Sequence, residues 1–331
     1  MFQSVTSRRG AIVEAVIRRE IVLMEGAVIE RLRHEADIRL DPRVANTGLV
    51  YDEQGRGALQ RIWRSYLDVA CDAGLPMMIC APTWRATPER LEQAGLPAAA
   101  QVCADAVQLA SEVREEYATA GVEIFLAGLM GCRGDAYRPD EALGSSAAEL
   151  FHAEQAAALA DAGVDLILAA TLPSASEALG LARAIAATDV PFIIGFVLRP
   201  DGTLLDGAPL GDAVVRLDGG LQRPALGYAG TCVHPDNFAQ ALGTASARDA
   251  AGRFVALQGN GSRLLPEELD GRAELDSDAP ESFGASMATV RERFGIGIVG
   301  GCCGTNERHI AALAAELGGA GNRRRSRGSR E

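Results

Sequence analysis

The chain has 331 residues, 48% of them hydrophobic and 23% charged, with a net charge of −12. That composition excludes a disordered or fibrous chain and supplies apolar material for one large core. The acidic balance argues against nucleic acid or an anionic membrane as partner, and no apolar stretch reaches the roughly 18 residues that a bilayer span needs.

The first stretch, Met1 to Arg19, carries charges but no signal-like apolar segment. Short apolar runs then alternate with amphipathic segments. Strands are predicted at Ile21–Met24, Pro76–Ala81, Glu123–Leu129, Val164–Ala169, Pro191–Leu198, Ala225–Thr231, Arg253–Gln258 and Ile296–Val299. They are almost continuously apolar, as strands covered on both faces should be. Helices are predicted at Gly57–Ala73, Ala98–Ala118, Ser146–Ala162, Ser174–Ala187 and Pro235–Ala247, from apolar residues three and four apart. Three helices run into Ala-Gly at Gly74, Gly121 and Gly163, where glycine supplies a left-handed stop. Residues 34–53 and 199–220 show little or no regular period. Eight such units in roughly 300 residues predict a (β/α)8 TIM barrel. We expect one barrel domain over residues 1–320 and a basic, disordered tail over 321–331, where arginines are interrupted by Gly and Ser.

Seven cysteines is an odd number in a long chain without secretion signals. A cytoplasmic setting with reduced thiols is expected, which favours metal binding or catalysis over a disulfide framework. Cys71 and Cys103 fall in helical patterns and read as small core residues. Cys80 and Cys132 lie at strand ends. The informative stretch is Gly300-Gly301-Cys302-Cys303-Gly304-Thr305, at the end of the last predicted strand. A vicinal thiol pair among glycines is a poor packing choice, and the glycines let the backbone turn so that two neighbouring side chains reach one point. Cys232 ends predicted strand six, so a barrel brings it to the same mouth. Three thiolates around Zn²⁺ leave the fourth tetrahedral position open, as a catalytic zinc requires. His234 reads as a helix-start residue before Pro235. Gly295-Ile-Gly297-Ile-Val-Gly300 matches a dinucleotide fingerprint, but its glycines precede or lie in a strand instead of opening a helix.

On these residues the chain resembles the homocysteine S-methyltransferase family of zinc-dependent barrels. The Gly-Gly-Cys-Cys-Gly-Thr stretch is unaltered, and Thr231-Cys232 stands where the family has Asn-Cys. Phe151-His-Ala-Glu-Gln155 before Ala162-Gly-Val-Asp165, Asp206-Gly207, Asn260-Gly261 and Thr83-Trp84 are weaker matches. Two departures stand out. Glu25-Gly26-Ala27-Val28-Ile29-Glu30 keeps the carboxylate of the family's first motif and loses its later glycine and threonine. Ala170-Thr171 replaces a Glu-Thr whose glutamate helps to hold the homocysteine ammonium.

The resemblance implies a thiol S-methyltransferase with Zn²⁺ on Cys232, Cys302 and Cys303, a small thiol as acceptor and a small sulfonium as donor. Glu25, Thr83, Trp84, Thr171 and Asn260 become candidate substrate contacts. Glu25 reads either as a grip on a substrate ammonium or as a loop carboxylate facing water, and Asn260 either as a substrate contact or as a turn residue. Other readings stay open: a family member acting on another thiol or with a methyl-carrier partner, or a barrel that binds zinc and thiol without turnover. Oligomeric state is not legible in the sequence.

Overall fold

The computed structural model describes residues 4–34, 38–265, 268 and 276–328. Its centre is a closed barrel of eight parallel strands in chain order. They are β1 (Val22–Met24), β2 (Met77–Ala81), β3 (Ile124–Met130), β4 (Leu166–Leu172), β5 (Phe192–Phe196), β6 (Gly227–Val233), β7 (Phe254–Gly259) and β8 (Ile298–Gly301). The last strand pairs back on the first through Val22 with Ile298 and Leu23 with Val299. The outer ring comprises α2 (Ile29–His34) and α3 (Glu53–Ala73) after β1, then α4 (Pro88–Gln93) and α5 (Ala99–Glu116) after β2. It continues with α6 (Ser145–Asp161), α7 (Ala175–Ala186), α8 (Leu210–Gly220), α9 (Pro235–Leu242), α10 (Pro280–Phe294) and α11 (Glu307–Gly328). The chain is a (β/α)8 TIM barrel, as its apolar rhythm predicts.

Two layers of packing follow from strand alternation. Leu23, Met77, Ile79, Leu126, Ile167, Ile194, Leu257 and Val299 face outward against the helices. Met24, Met78, Leu166, Leu168, Ile193, Ala256 and Ile298 fill the lumen. The lumen also takes Ile12, Ala15 and Val16 from a helix that the sequence pattern does not announce, α1 (Val5–Arg18). Its short apolar stripe lies among arginines, and the sequence reading places no helix there. Those arginines fasten it to the N-terminal end of the barrel. Arg8 pairs with Asp165 at 2.9 Å and Arg9 donates to the Val164 carbonyl at 3.0 Å.

Gly74, Gly121 and Gly163 all take positive φ, as expected of left-handed helix stops. Six C-terminal strand ends differ from the sequence reading: β3 and β7 run one residue further, to Met130 and Gly259, β5 stops two residues earlier, at Phe196, and three others are extended. β4 and β6 run on past Ala169 and Thr231, because each bulges near its end and resumes pairing beyond. β8 includes Gly300 and Gly301, which pair with Gln258 and Gly259. The assigned span of α11 reaches Gly328, into the expected tail, and side chains from 319 onward lie outside the described residues. Among the described residues no helix is long and apolar enough to cross a membrane.

Candidate active site

The C-terminal mouth of the barrel is where the strand ends and their loops converge. Cys232 lies inside β6, not after it, and takes φ of 56°. The register with β7 shifts there, between Thr231 and Val233. A bulge re-aims a side chain that plain alternation would send elsewhere. A left-handed non-glycine residue costs about 1–3 kcal/mol, and surrounding structure must hold it. The hold is visible. Thr171, at the matching bulge of β4, also has φ of 56°. Its N–H donates to the Thr231 hydroxyl at 2.8 Å, so the two strained rims brace each other.

Cys302 and Cys303 follow β8. The Cys302 N–H donates to the Gly259 carbonyl at 2.7 Å, and the Cys303 carbonyl accepts from Gly261 N–H at 2.8 Å. Gly304 turns the chain back with φ of 78°, and its N–H donates to the Glu30 carboxylate on α2. Thr305 closes the turn, donating its hydroxyl to the Cys302 carbonyl at 2.7 Å. Glycine is required at 300, where a Cβ would overlap the Met24 side chain and backbone.

These two devices bring three sulfurs to within 4.8 Å of one another. Cys232 and Cys303 are 3.8 Å apart. Among the described residues this is the one His/Cys/Asp/Glu cluster that could hold a metal ion. Hydrogen bonds from Cys302 and Cys303 push the Cys232 thiol well below its ordinary range. The same bonds push Cys302 and Cys303 well above theirs. The cluster thus favours the thiolate form at Cys232 and the thiol form at its two neighbours. The Tyr137 hydroxyl lies 2.8 Å from the Cys232 sulfur, and the Asn260 side chain helps to hold that sulfur as thiolate. Asn260 is buried and its Oδ1 has no hydrogen-bond partner. Three convergent sulfurs and an orphaned polar oxygen suit a soft cation with a ligand beside it.

A family model described as homocysteine S-methyltransferase matches residues 22–317. The chain belongs to the homocysteine S-methyltransferase family. It is 30% identical over 256 residues to the homocysteine S-methyltransferase of Escherichia coli K12, covering 71% of this chain and 79% of that one. It is 27% identical over 183 residues to the homocysteine S-methyltransferase YbgG of Bacillus subtilis 168, covering 55% of this chain and 56% of that one. The fold is shared with the metallated form of E. coli MmuM, at a TM-score of 0.73 and 23% identity over 92% of this chain and 99% of that one. Membership makes the chain an enzyme, a thiol S-methyltransferase.

Within that family the other candidate residues separate. Glu25, just past β1, is 3% exposed, which corrects the water-facing reading. Its Oε2 accepts from Cys80 N–H at 3.1 Å, and Trp63 and Tyr66 of α3 lie close by. Burial pushes its pKa up to about 8. Thr83 is fully buried, and its hydroxyl exchanges hydrogen bonds with Leu129 N–H and C=O at 3.0 and 2.9 Å, bracing β2 to β3. Trp84 donates from Nε1 to the Thr171 hydroxyl at 3.1 Å, which places both at the rim of β4. Ala170 is buried in the lumen one residue before. Cys80 lies in the lumen beside Glu25, and Cys132 is buried with its sulfur 3.5 Å from the Gly134 carbonyl. His234 caps α9, as its place before Pro235 suggests. Tyr137 and Glu30 are contacts that sequence reasoning missed. Glu30 lies on the short α2, which the sequence pattern does not announce, and no signal in the chain ties residue 137 to residue 232.

Proposed function

We propose that this chain is a zinc-dependent methyltransferase that moves a methyl group from a small sulfonium donor to a small thiol, in the reduced setting of the cytoplasm. The observation that carries the reading is the convergence of Cys232, Cys302 and Cys303 on one mouth within 4.8 Å. Among the described residues no His, Asp, Glu or further Cys joins the three sulfurs, which leaves a tetrahedral position for a substrate sulfur. The metallated state of the E. coli structural relative supports a metal at such a site. Held by Cys232, Cys302 and Cys303, Zn²⁺ would supply the charge that favours the thiolate form of an acceptor thiol, whose own pKa is about 8.5. The chain does the rest by holding and excluding. Asn260 offers its free Oδ1 to a donor group of the substrate. Trp84 and Thr171 wall the β4 side. The acceptor sulfur forms the new C–S bond while the sulfonium's C–S pair departs with a neutral thioether, so aligning the two supplies much of the rate.

The acceptor is the open half of this reading. The relatives are named for homocysteine, but Ala170 provides no carboxylate at the end of β4. A charged hydrogen bond of that kind contributes about 1.5–3 kcal/mol, or roughly ten- to a hundredfold. A thiol other than homocysteine is therefore favoured unless buried Glu25 serves instead. Metal analysis followed by transfer assays over small thiols and sulfonium donors tests the whole reading. About one zinc per chain is expected, lost together with activity in Cys232→Ser, Cys302→Ser and Cys303→Ser. Metal-free wild-type protein with full activity would sink it. Ala170→Glu should raise kcat/KM for homocysteine roughly ten- to a hundredfold. Efficient wild-type use of homocysteine, unchanged by the substitution, would show that Ala170 does not set the acceptor.

A further inference from the structure

The loop from the end of β3 to the start of α6, residues 131–144, crosses the mouth. It has few apolar anchors, yet it is held at both ends by one side chain. Glu177 of α7 is fully buried. Its Oε1 accepts from Arg133 N–H at 2.6 Å and its Oε2 from Leu143 N–H at 3.2 Å. His152 of α6 lies 3.1 Å from the same Oε1. Arg85, stacked on the Trp84 ring at 4.2 Å, donates to the Cys132 and Gly134 carbonyls. Inside the loop, Asp135 accepts from Tyr137 N–H at 2.8 Å, and its own N–H donates to Glu141 at 3.0 Å. This is a built loop, and its product is the position of one side chain. Tyr137 is 40% exposed, yet its hydroxyl sits 2.8 Å from the Cys232 sulfur. The ring thus runs from the surface down to the cysteine cluster.

We propose that Tyr137 is a positioning residue of the methyl transfer, its hydroxyl donating to the Cys232 sulfur from a loop that the Glu177 carboxylate holds across the mouth. The proposal rests on the metal-thiolate reading above. A metal-bound cysteine has no proton, so the phenol is the donor of the pair. An O–H bond to that sulfur draws charge away from it and leaves the bound cation less neutralised by the protein. A less neutralised cation holds the acceptor thiolate more firmly. Tyr137 should therefore act on acceptor binding more than on the chemical step.

The test uses full-length protein loaded with Co²⁺ in place of zinc, whose sulfur-to-metal charge-transfer band reports electron density on the cysteine thiolates. Tyr137→Phe removes one hydroxyl and keeps the ring. We expect its band to move to lower energy, and the acceptor KM of the zinc form to rise roughly tenfold with kcat changed less. Glu177→Gln keeps the shape and sets an amide where a carboxylate met backbone N–H. It should shift the band in the same direction. A surface tyrosine elsewhere, in Tyr51→Phe, should leave the band unmoved. An unshifted band in folded Tyr137→Phe overturns the proposal, and a shift there with none in folded Glu177→Gln overturns the part assigned to Glu177. Wild-type protein that develops no sulfur-to-cobalt band overturns the metal reading itself, and the role of Tyr137 with it.

Discussion

Glu25 shows how far a neighbourhood can change a residue. In the chain it is one carboxylate after an apolar run. In the fold it is buried beside Cys80 under α3, and burial raises its pKa from 4.5 to about 8. The consequence for stability has a definite sign. Between those values the folded chain keeps a proton that the unfolded chain has lost, so stability falls as pH rises through this window. Every tenfold difference in proton affinity between the two states is worth about 1.4 kcal/mol, which sets a ceiling of roughly 4–5 kcal/mol. Thermal melting from pH 5 to 8.5 should therefore show a decline in wild type that Glu25→Gln flattens. Equal slopes in the two proteins would mean that Glu25 does not carry the proton. A substrate ammonium reaching Glu25 would favour the charged form and release that proton.

Strand ends do the next share of the work. β4 and β6 each bulge near the mouth, and each bulge holds a left-handed residue, Thr171 and Cys232. The link between them is the Thr231 hydroxyl, which accepts from Thr171 N–H at 2.8 Å. Thr231→Val keeps the shape and leaves that buried N–H without a partner. Such an orphan costs about 1–3 kcal/mol. We expect a lower denaturation midpoint together with weaker metal retention, because the bulge that aims Cys232 loses its brace. Loss of stability with metal affinity intact would separate the bulge from the site. The strand-eight turn is legible in the sequence for the opposite reason. Gly300, Gly301 and Gly304 flank the cysteines directly, so local chain geometry carries the signal. The bulges leave no such mark, since threonine and cysteine are ordinary strand residues.

The whole barrel divides its labour between two ends. The mouth holds the cysteines, and the opposite end is closed by α1. The closure is electrostatic at its edge. Asp165, fully buried, takes Arg8 and Arg114 at 2.9 Å each and accepts from Leu126 N–H at 2.9 Å. Removing the charge of a buried partner strands the others at a cost of about 3–5 kcal/mol. Asp165→Asn should thus lower stability in urea by an amount of this order while kcat of the folded fraction stays at the wild-type value. A matching fall in kcat would show that the two ends are coupled. What the chain determined by itself was whatever depends on neighbours in sequence. Runs covered on both faces announced eight parallel strands, Ala-Gly stops announced the turns, and a thiol pair set in glycines announced two members of the cysteine cluster. What only the tertiary structure decided depends on neighbours in space. The seating of α1 in the lumen, the burial of Glu25, the bulge under Cys232 and the reach of Tyr137 across 95 positions to its sulfur are of this kind. Desolvation and long-range hydrogen bonds belong to the assembled barrel, and no local pattern encodes them.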